Sequence, residues 1–455
     1  MRSLKWKSLL ALLFTFSLVA AACGSDDDAA DTVVDDTTTT TTAAPTTTEA
    51  PATTEATPDE PLVVTLLGPE TGADADAINA TFAAFTEATG IVVDYTGTAD
   101  ATPELNVALE AGTPPDLAVI PQPGRTLGFA ADGSAIELPT SVTDIVAEQY
   151  DPFWAELVTY QGGVYGVPNK GDVKSLVWYS PTVFADNGYE IPSTWAEFEQ
   201  LLADIQANGQ TPLCVGIESG GATGWPFTDW MEDVMLRLKG PDVYDQWVNH
   251  EISFDDPAVK DVAEFVGDLW FKDGNVLGGR DTIASTNFKD AGLALANGDC
   301  VLHRQANFAG GWFTDIGLEL GPDGDLNVFY LPTISDEFGN VVLGAGTHVV
   351  AFSDRPEVIQ VLEWIADAEY ANTRIEGDFG GFLSPNKTHD TSLYSSSFDQ
   401  VLAQILVSAD PFRFDGSDLM PGEVGAGEFW SAGTDFVSGA IDVDEFLART
   451  EAAWP

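Results

Sequence analysis

From residue 61 to residue 124 the hydrophobic pattern alternates between two periods. "PLVVTLLG" is a short apolar run ending at Gly68 and reads as a buried strand. "DADAINATFAAFTEATG" repeats apolar residues at helical spacing and stops at Gly90. "IVVDYTG" is strand-like again, "PELNVALEAG" is helical, and "PPDLAVIPQPG" is a strand broken by prolines. A β-α-β-α-β order of this kind predicts an α/β fold with an open, mostly parallel sheet flanked by helices. Ligands of such sheets gather at the carboxyl ends of strands, which here are "GPETG" and "PQPG".

Further along, "VYGVPNKGDVKSLVWYSPTVF" is extended, with polar residues set into it. "PSTWAEFEQLLADIQANG" reads as a helix opened by Ser193 or Thr194 and closed by Gly209. "TPLCVGIESGGATGWPFTDWMEDVMLRLKG" reads as strand, loop, helix, and "GDCVLHR" as another strand entering a polar, aromatic loop. "LNVFYLPTI" and "VVLGAGTHVVAF" are strands, "RPEVIQVLEWIADAEYAN" is one helix, and "FWSAGTDFVSGAIDVDEFLART" gives two closing helices. No internal repeat is visible.

The N-terminus does not belong to this pattern. Arg2, Lys5 and Lys7 precede "SLLALLFTFSLVA", which closes on "AAC", so residues 1–22 read as an export signal. "LVAAAC" resembles the lipobox of bacterial lipoproteins, with Cys23 as the lipid-bearing residue, although Ala20 stands where that pattern prefers leucine. Residues 23–60 are rich in Thr, Pro, Ala and acid, cannot bury a core, and read as a disordered tether. The working part is thus expected at the extracytoplasmic face of a cell membrane, attached by lipid alone. Residues 61–455 are too long for one ordinary core and suit two domains.

The formal charge of −54 makes nucleic acid and anionic lipid poor partners, and points to a neutral ligand. With Cys23 lipidated, Cys214 and Cys300 remain as a pair in an oxidising compartment, which predicts a disulfide. His250, His303, His348 and His389 show no ligand spacing with the cysteines, so neither zinc nor any other metal or cofactor is expected.

"SGGATGWPFTDW" (219–230) combines close-approach glycines with Thr223, Trp225, Asp229 and Trp230 at the end of a strand. No lysine follows the glycines, so a phosphate is disfavoured. A sugar fits better, since its C–H faces stack on indoles and its hydroxyls need carboxylates and amides. A second cluster, Arg304, Gln305 and Asn307 beside Gly310 and Gly311, offers many donors in one place.

This order of elements, with "VPNKGDVKSLVWYSPTVF", "GAGTHVVAFSDRPEVIQVLEWIA" and "FWSAGTDFVSGAIDVDEFL", resembles the extracellular solute-binding proteins of ABC sugar importers, the maltose-binding-protein-like superfamily. "VKSLVWYSP", "SGGATGWPFTDWMED", "VYDQWVNHEI" and "HRQANF" together look like its alpha-glucoside-binding branch, which serves importers of sucrose, maltose or trehalose. The resemblance implies a two-lobed, type II periplasmic-binding-protein-like fold joined by hinge strands. Lobe 1 would comprise 61–170 plus 332–382, and lobe 2 would comprise 171–331 plus 383–455. It implies a monomer that delivers an alpha-glucoside to permease subunits and catalyses nothing. Carried over position by position, it assigns ligand contacts to Glu70 and Thr71, to Gln122 and Pro123, to Asp172 on the crossover and to Trp430. "HRQANF" stands where maltose-binding proteins carry "NGPW", so Phe308 or Trp312 would take over that stacking role.

Each residue also has a plainer use. Asp172 would be a solvated linker carboxylate, Trp430 a core residue, Asp229 a helix cap, and Arg304 the partner of a neighbouring carboxylate. Trp178 and Tyr179 would pack under the hinge, and Trp195, Trp247 and Trp364 in the core. Two rival functions remain at this level: a secreted glycosidase, whose sites also combine carboxylates and aromatics, and a surface adhesin on a Thr-rich stalk.

Overall fold

In a computed structural model, the described residues are 62–339, 341–377, 381–408 and 412–455. The leader, Cys23 and the tether lie outside them. Nine strands matter here: β1 (Leu62–Gly68), β2 (Ile91–Gly97), β3 (Leu117–Ile120), β4 (Val167–Val173), β5 (Leu176–Tyr179), β6 (Leu302–Arg304), β7 (Asn327–Tyr330), β8 (Val342–Ala351) and β9 (Phe412–Phe414).

The first sheet runs β9-β8-β3-β1-β2, with β4 also paired to β8. β1 lies parallel to both β2 and β3, as right-handed crossovers through the Ala73–Thr89 and Ala101–Glu110 helices require. β8 returns antiparallel to β3 and β4. The second sheet is smaller, β6-β5-β7, and antiparallel. Only Lys174 and Ser175 separate β4 of one sheet from β5 of the other, so the chain passes between the two halves there. The result is the two-lobed α/β arrangement.

Local chemistry fixes several boundaries. Thr194 caps the Trp195–Ala207 helix and Glu197 reaches back to it in a capping box. The expected long helix at 355–372 is two, Pro356–Ala366 and Ala368–Glu376, because Asp367 leaves helical geometry and accepts from Glu369 N–H to cap the second. "TPLCVGI" does not become a full strand: Leu213 bridges singly to Val276 and Leu302, and Cys214 forms a disulfide with Cys300 at a Cα–Cα distance of 5.7 Å.

The expected return to the second lobe at residue 383 also differs. Gly171 N–H donates to Leu383 O at 2.9 Å, Lys387 N–H donates to Gln149 O at 2.8 Å, and β9 joins the first sheet. The segment around Leu383–Lys387 and β9 are therefore fastened to the first half. After β9 the chain turns to the second half: Ser417 N–H donates to Glu232 Oε1 at 2.9 Å, and the helices from Trp430 onward pack on the Trp225–Leu238 and Pro257–Trp270 helices.

Candidate functional site: a cleft between two lobes

Alternation along β4 puts Lys170 and Asp172 on one face of the crossover, and Lys174 follows directly after the strand. Asp172 is 94% buried by its 6% relative exposure, lies 3.6 Å from the Lys170 ammonium, and has no hydrogen-bond partner for Oδ1. Burial raises its pKa against the opposing pull of Lys170 and Lys174. The Lys170 ion pair is too long for a hydrogen bond, so Oδ1 keeps the capacity to accept one from a ligand hydroxyl.

Above this row lies a closed ring of four aromatic side chains. Centroid separations are 5.1 Å for Trp225–Phe288, 5.4 Å for Phe288–Trp312, 5.4 Å for Phe308–Trp312 and 6.1 Å for Trp225–Phe308. The Lys170, Lys174 and Lys289 ammonium groups sit 5.3, 5.5 and 5.8 Å from the Phe308, Trp225 and Trp312 rings. From the first lobe, Glu70 leaves the end of β1 and accepts from Tyr95 Oη at 2.9 Å. Asp74 follows it, its pKa raised by burial although Lys170 opposes. Thr71 is exposed in the same loop.

Beside this lies a cavity of about 260 Å³, walled by Gln122, Arg125 and Pro103 from the first lobe and by Gly221 and Trp430 from the second. Gln122 precedes the Pro123–Asp132 helix, and Pro123 begins it. Three buried polar atoms here lack partners: the acceptor Gln122 Oε1 and the donors Arg125 Nε and Trp430 Nε1.

The glycines of "SGGATGWPFTDW" approach protein, not ligand. A Cβ on Gly224 (φ 115°) would sit 2.4 Å from Trp430 O. Gly221 N–H donates to Asp100 Oδ1 across the lobes at 3.0 Å. Thr223 closes the loop on itself, donating to Gly220 O at 2.7 Å, and Trp230 is buried against Trp270.

Four of the expected contacts turn away from the cleft into an ionic network beneath it or the packing around it. Asp229 does not cap its helix, whose N-cap is Gly224; it accepts from Lys174 at 2.8 Å and from Arg304 at 3.1 Å. Arg304 also grips Asp233. Asn307 accepts from Val173 N–H at 2.6 Å and donates to Gly381 O at 2.9 Å, pinning the crossover. Gln305 is buried, with Oε1 accepting from Ala306 N–H.

The network holds five buried carboxylates (Asp229, Glu232, Asp233, Asp415, Asp418) against three buried cations (Lys174, Arg237, Arg304). With two negative charges in excess, not all five can stay ionised out of water. Burial pushes Asp229 up to about 6, and burial together with Asp415 and Asp229 pushes Glu232 well up. Asp229, Glu232 and Asp415 bring oxygens within 4.8 Å of one another, a spacing that suits a cation, but the Lys174 ammonium already bonds Asp229 and Asp415.

Lys170, Lys174, Phe288, Asp74, Arg125 and Asp100 are parts of this region that the motif reading passes over. The two lysines had a signal, since each stands two residues from Asp172 in a strand-like run.

Two lobes on separate sheets, a short crossover, and a cleft lined by unpartnered polar atoms and aromatic faces define a protein that encloses a solute. Residues 69–372 match the family described as bacterial extracellular solute-binding protein, and the chain belongs to that family. It is 40% identical over 396 residues to the osmoprotective compounds-binding protein GgtB of Synechocystis sp., covering 86% of this chain and 92% of that one. It is 39% identical over 409 residues to the alpha-glucosides-binding periplasmic protein AglE of Rhizobium meliloti, covering 86% of each. Among solved structures, the bacterial solute receptor AcbH superposes with a TM-score of 0.75 at 19% identity, over 86% of this chain and 98% of that one. Maltose-bound MalE3 of T. maritima gives 0.65 at 16% identity, over 86% and 98%. These two likenesses concern the fold. Among the described residues no helix is long and apolar enough to cross a membrane.

Proposed function

We propose that this protein captures an alpha-glucoside between its lobes and delivers it to the permease of an ABC importer, working as a monomer held to the cell membrane by lipid on Cys23. The observation that carries the reading is the set of buried polar atoms around the cleft that make no hydrogen bond: Asp172 Oδ1, which has only the 3.6 Å ion pair to Lys170, Gln122 Oε1 and Trp430 Nε1. Acceptors and a donor beside aromatic faces match a ligand whose hydroxyls both give and take hydrogen bonds. The name of the AglE relative, an alpha-glucosides-binding protein, supports the same class. Glu70, Asp172, Gln122 and Trp430 are the contacts we assign; Trp225, Phe308 and Trp312 provide the stacking faces. No catalytic step is assigned, in keeping with a family of solute-binding proteins.

Thermal unfolding in the presence of maltose, sucrose and trehalose tests this. A ligand at 100 times its Kd stabilises the folded state by about 2.7 kcal/mol, which moves the melting temperature measurably. A melting temperature unmoved by all three at millimolar concentration contradicts the reading.

A further inference from the structure

Gly220 and Gly221 are explained by no ligand contact, yet they stand where the second lobe meets the first. Resting on the alpha-glucoside reading, we infer that Asp100 is a positioning residue. Its carboxylate latches the Gly220–Ala222 turn of the second lobe to the first lobe at the rim of the cleft, and so sets how slowly a captured sugar leaves.

Asp100 is the N-cap of the Ala101–Glu110 helix, but its side chain makes no capping bond. An aspartate at that position ordinarily accepts from the N–H two or three residues on. The residue three on is Pro103, which has no N–H to give. Oδ1 accepts instead from Gly221 N–H of the second lobe, at 3.0 Å.

Each partner is braced within its own lobe. Asp100 N–H donates to Thr98 Oγ1 at 3.1 Å, and Thr98 Oγ1 donates to Glu104 at 3.1 Å. Across the cleft, Glu218 accepts from Gly220 N–H at 2.8 Å and from Asn287 Nδ2 at 2.7 Å. Asn287 caps the helix that begins with Phe288, so the turn is tied to the element that carries one of the four stacking aromatics.

The close approach also accounts for the glycines. A Cβ on Gly220 would lie 3.1 Å from Asp100 Oδ1, and one on Gly221 would lie 2.9 Å from Pro103 Cγ. Gly221 has no positive φ, so alanine there is resisted by the first lobe and not by its own backbone. Ala99 and Pro103 from one side, and Gly221 and Ala222 from the other, line the cavity; Asp100 does not. The carboxylate therefore seats the two walls without touching the ligand. A bond made only where the lobes meet acts on escape more than on entry.

Stopped-flow tryptophan fluorescence tests the inference, using whichever of maltose, sucrose and trehalose binds wild type most tightly. Asp100→Ala is expected to raise koff by about three- to tenfold, as loss of one exposed hydrogen bond allows, with kon within about twofold of wild type. Asp100→Asn keeps an acceptor oxygen and is expected to fall between Asp100→Ala and wild type. Gly221→Ala alters the opposite lobe and is expected to raise koff in the same way. Wild-type koff in Asp100→Ala overturns the latch, as does an effect confined to kon, and both leave the glucoside reading intact. Faster release in Asp100→Ala with wild-type release in Gly221→Ala also overturns it, because Asp100 would then act within its own helix. A wild type that binds none of the three sugars overturns the glucoside reading and this inference with it.

Discussion

Lys174 holds its ammonium 2.8 Å from Asp229 Oδ1, beneath the cleft and away from water. The same ammonium bonds Asp415, so one lysine on the crossover ties the Trp225–Leu238 helix to the segment after β9. Burial works against its charge, but Asp229 and Asp415 outweigh that and hold its pKa well above the usual value. Lys174→Met should therefore destabilise the fold by about 3–5 kcal/mol at neutral pH, because it leaves carboxylates buried without a partner. The deficit should shrink on acidification toward about pH 5, as those carboxylates take up protons. Urea unfolding of both proteins at the two pH values checks this; a deficit independent of pH contradicts it.

Acid should also act through His348. The ring is fully buried, Nε2 meets Trp154 O at 3.0 Å, Nδ1 has no partner, and burial lowers its pKa to about 4. The unfolded chain binds this proton near pH 6.5 and the folded one only near 4, so stability falls as pH drops through that window. Between about pH 7.5 and 5 the loss from this residue is about 2 kcal/mol. Asp229, pushed up to about 6, changes stability in the opposite sense, but equally in wild type and variant. The wild type should lose more stability than His348→Asn over this range in paired denaturant titrations. Equal losses contradict the assignment.

The disulfide closes a separation of 86 residues. Replacing both cysteines with alanine should cost about 2–4 kcal/mol and lower the melting temperature, with the cleft's ligand still bound at saturating concentration. Intact-mass measurement after alkylation without reductant should show neither Cys214 nor Cys300 modified. Two alkylated thiols contradict it.

Cys23→Ser should release the protein from membrane fractions. Retention after a high-salt wash contradicts the lipid anchor.

The sheet of the first lobe was legible because period itself distinguishes a strand such as "IVVDYTG" from the helix before it, and chirality then fixes how they connect. "TPLCVGI" looks equally strand-like, yet it is held by single bridges and a disulfide, which periodicity does not register. The break at Asp367 comes from one side chain competing for one backbone N–H. Glu70, Gln122, Asp172 and Trp430, the contacts proposed for the candidate site, come from strand ends and family motifs. The fate of Asp229 and Arg304 is not legible in either: their partnership joins residues 75 apart in sequence, and the Lys174 bond joins residues 55 apart. A carboxylate bound to a sugar and one bound to a buried lysine leave the same letter in the chain.

The central claim is that Asp172 and Trp430 hold a glucoside from opposite sides of the cleft. Titration of intrinsic tryptophan fluorescence with maltose, trehalose and sucrose, in wild type, Asp172→Asn and Trp430→Ala, tests it most directly. The wild type should bind at least one of these sugars. Asp172→Asn should weaken that binding roughly ten- to hundredfold, for the loss of a charged hydrogen bond of about 1.5–3 kcal/mol. Trp430→Ala should weaken it comparably, with both variants still folding cooperatively. A wild type that ignores all three sugars, or two folded variants that bind as tightly as wild type, would contradict the account.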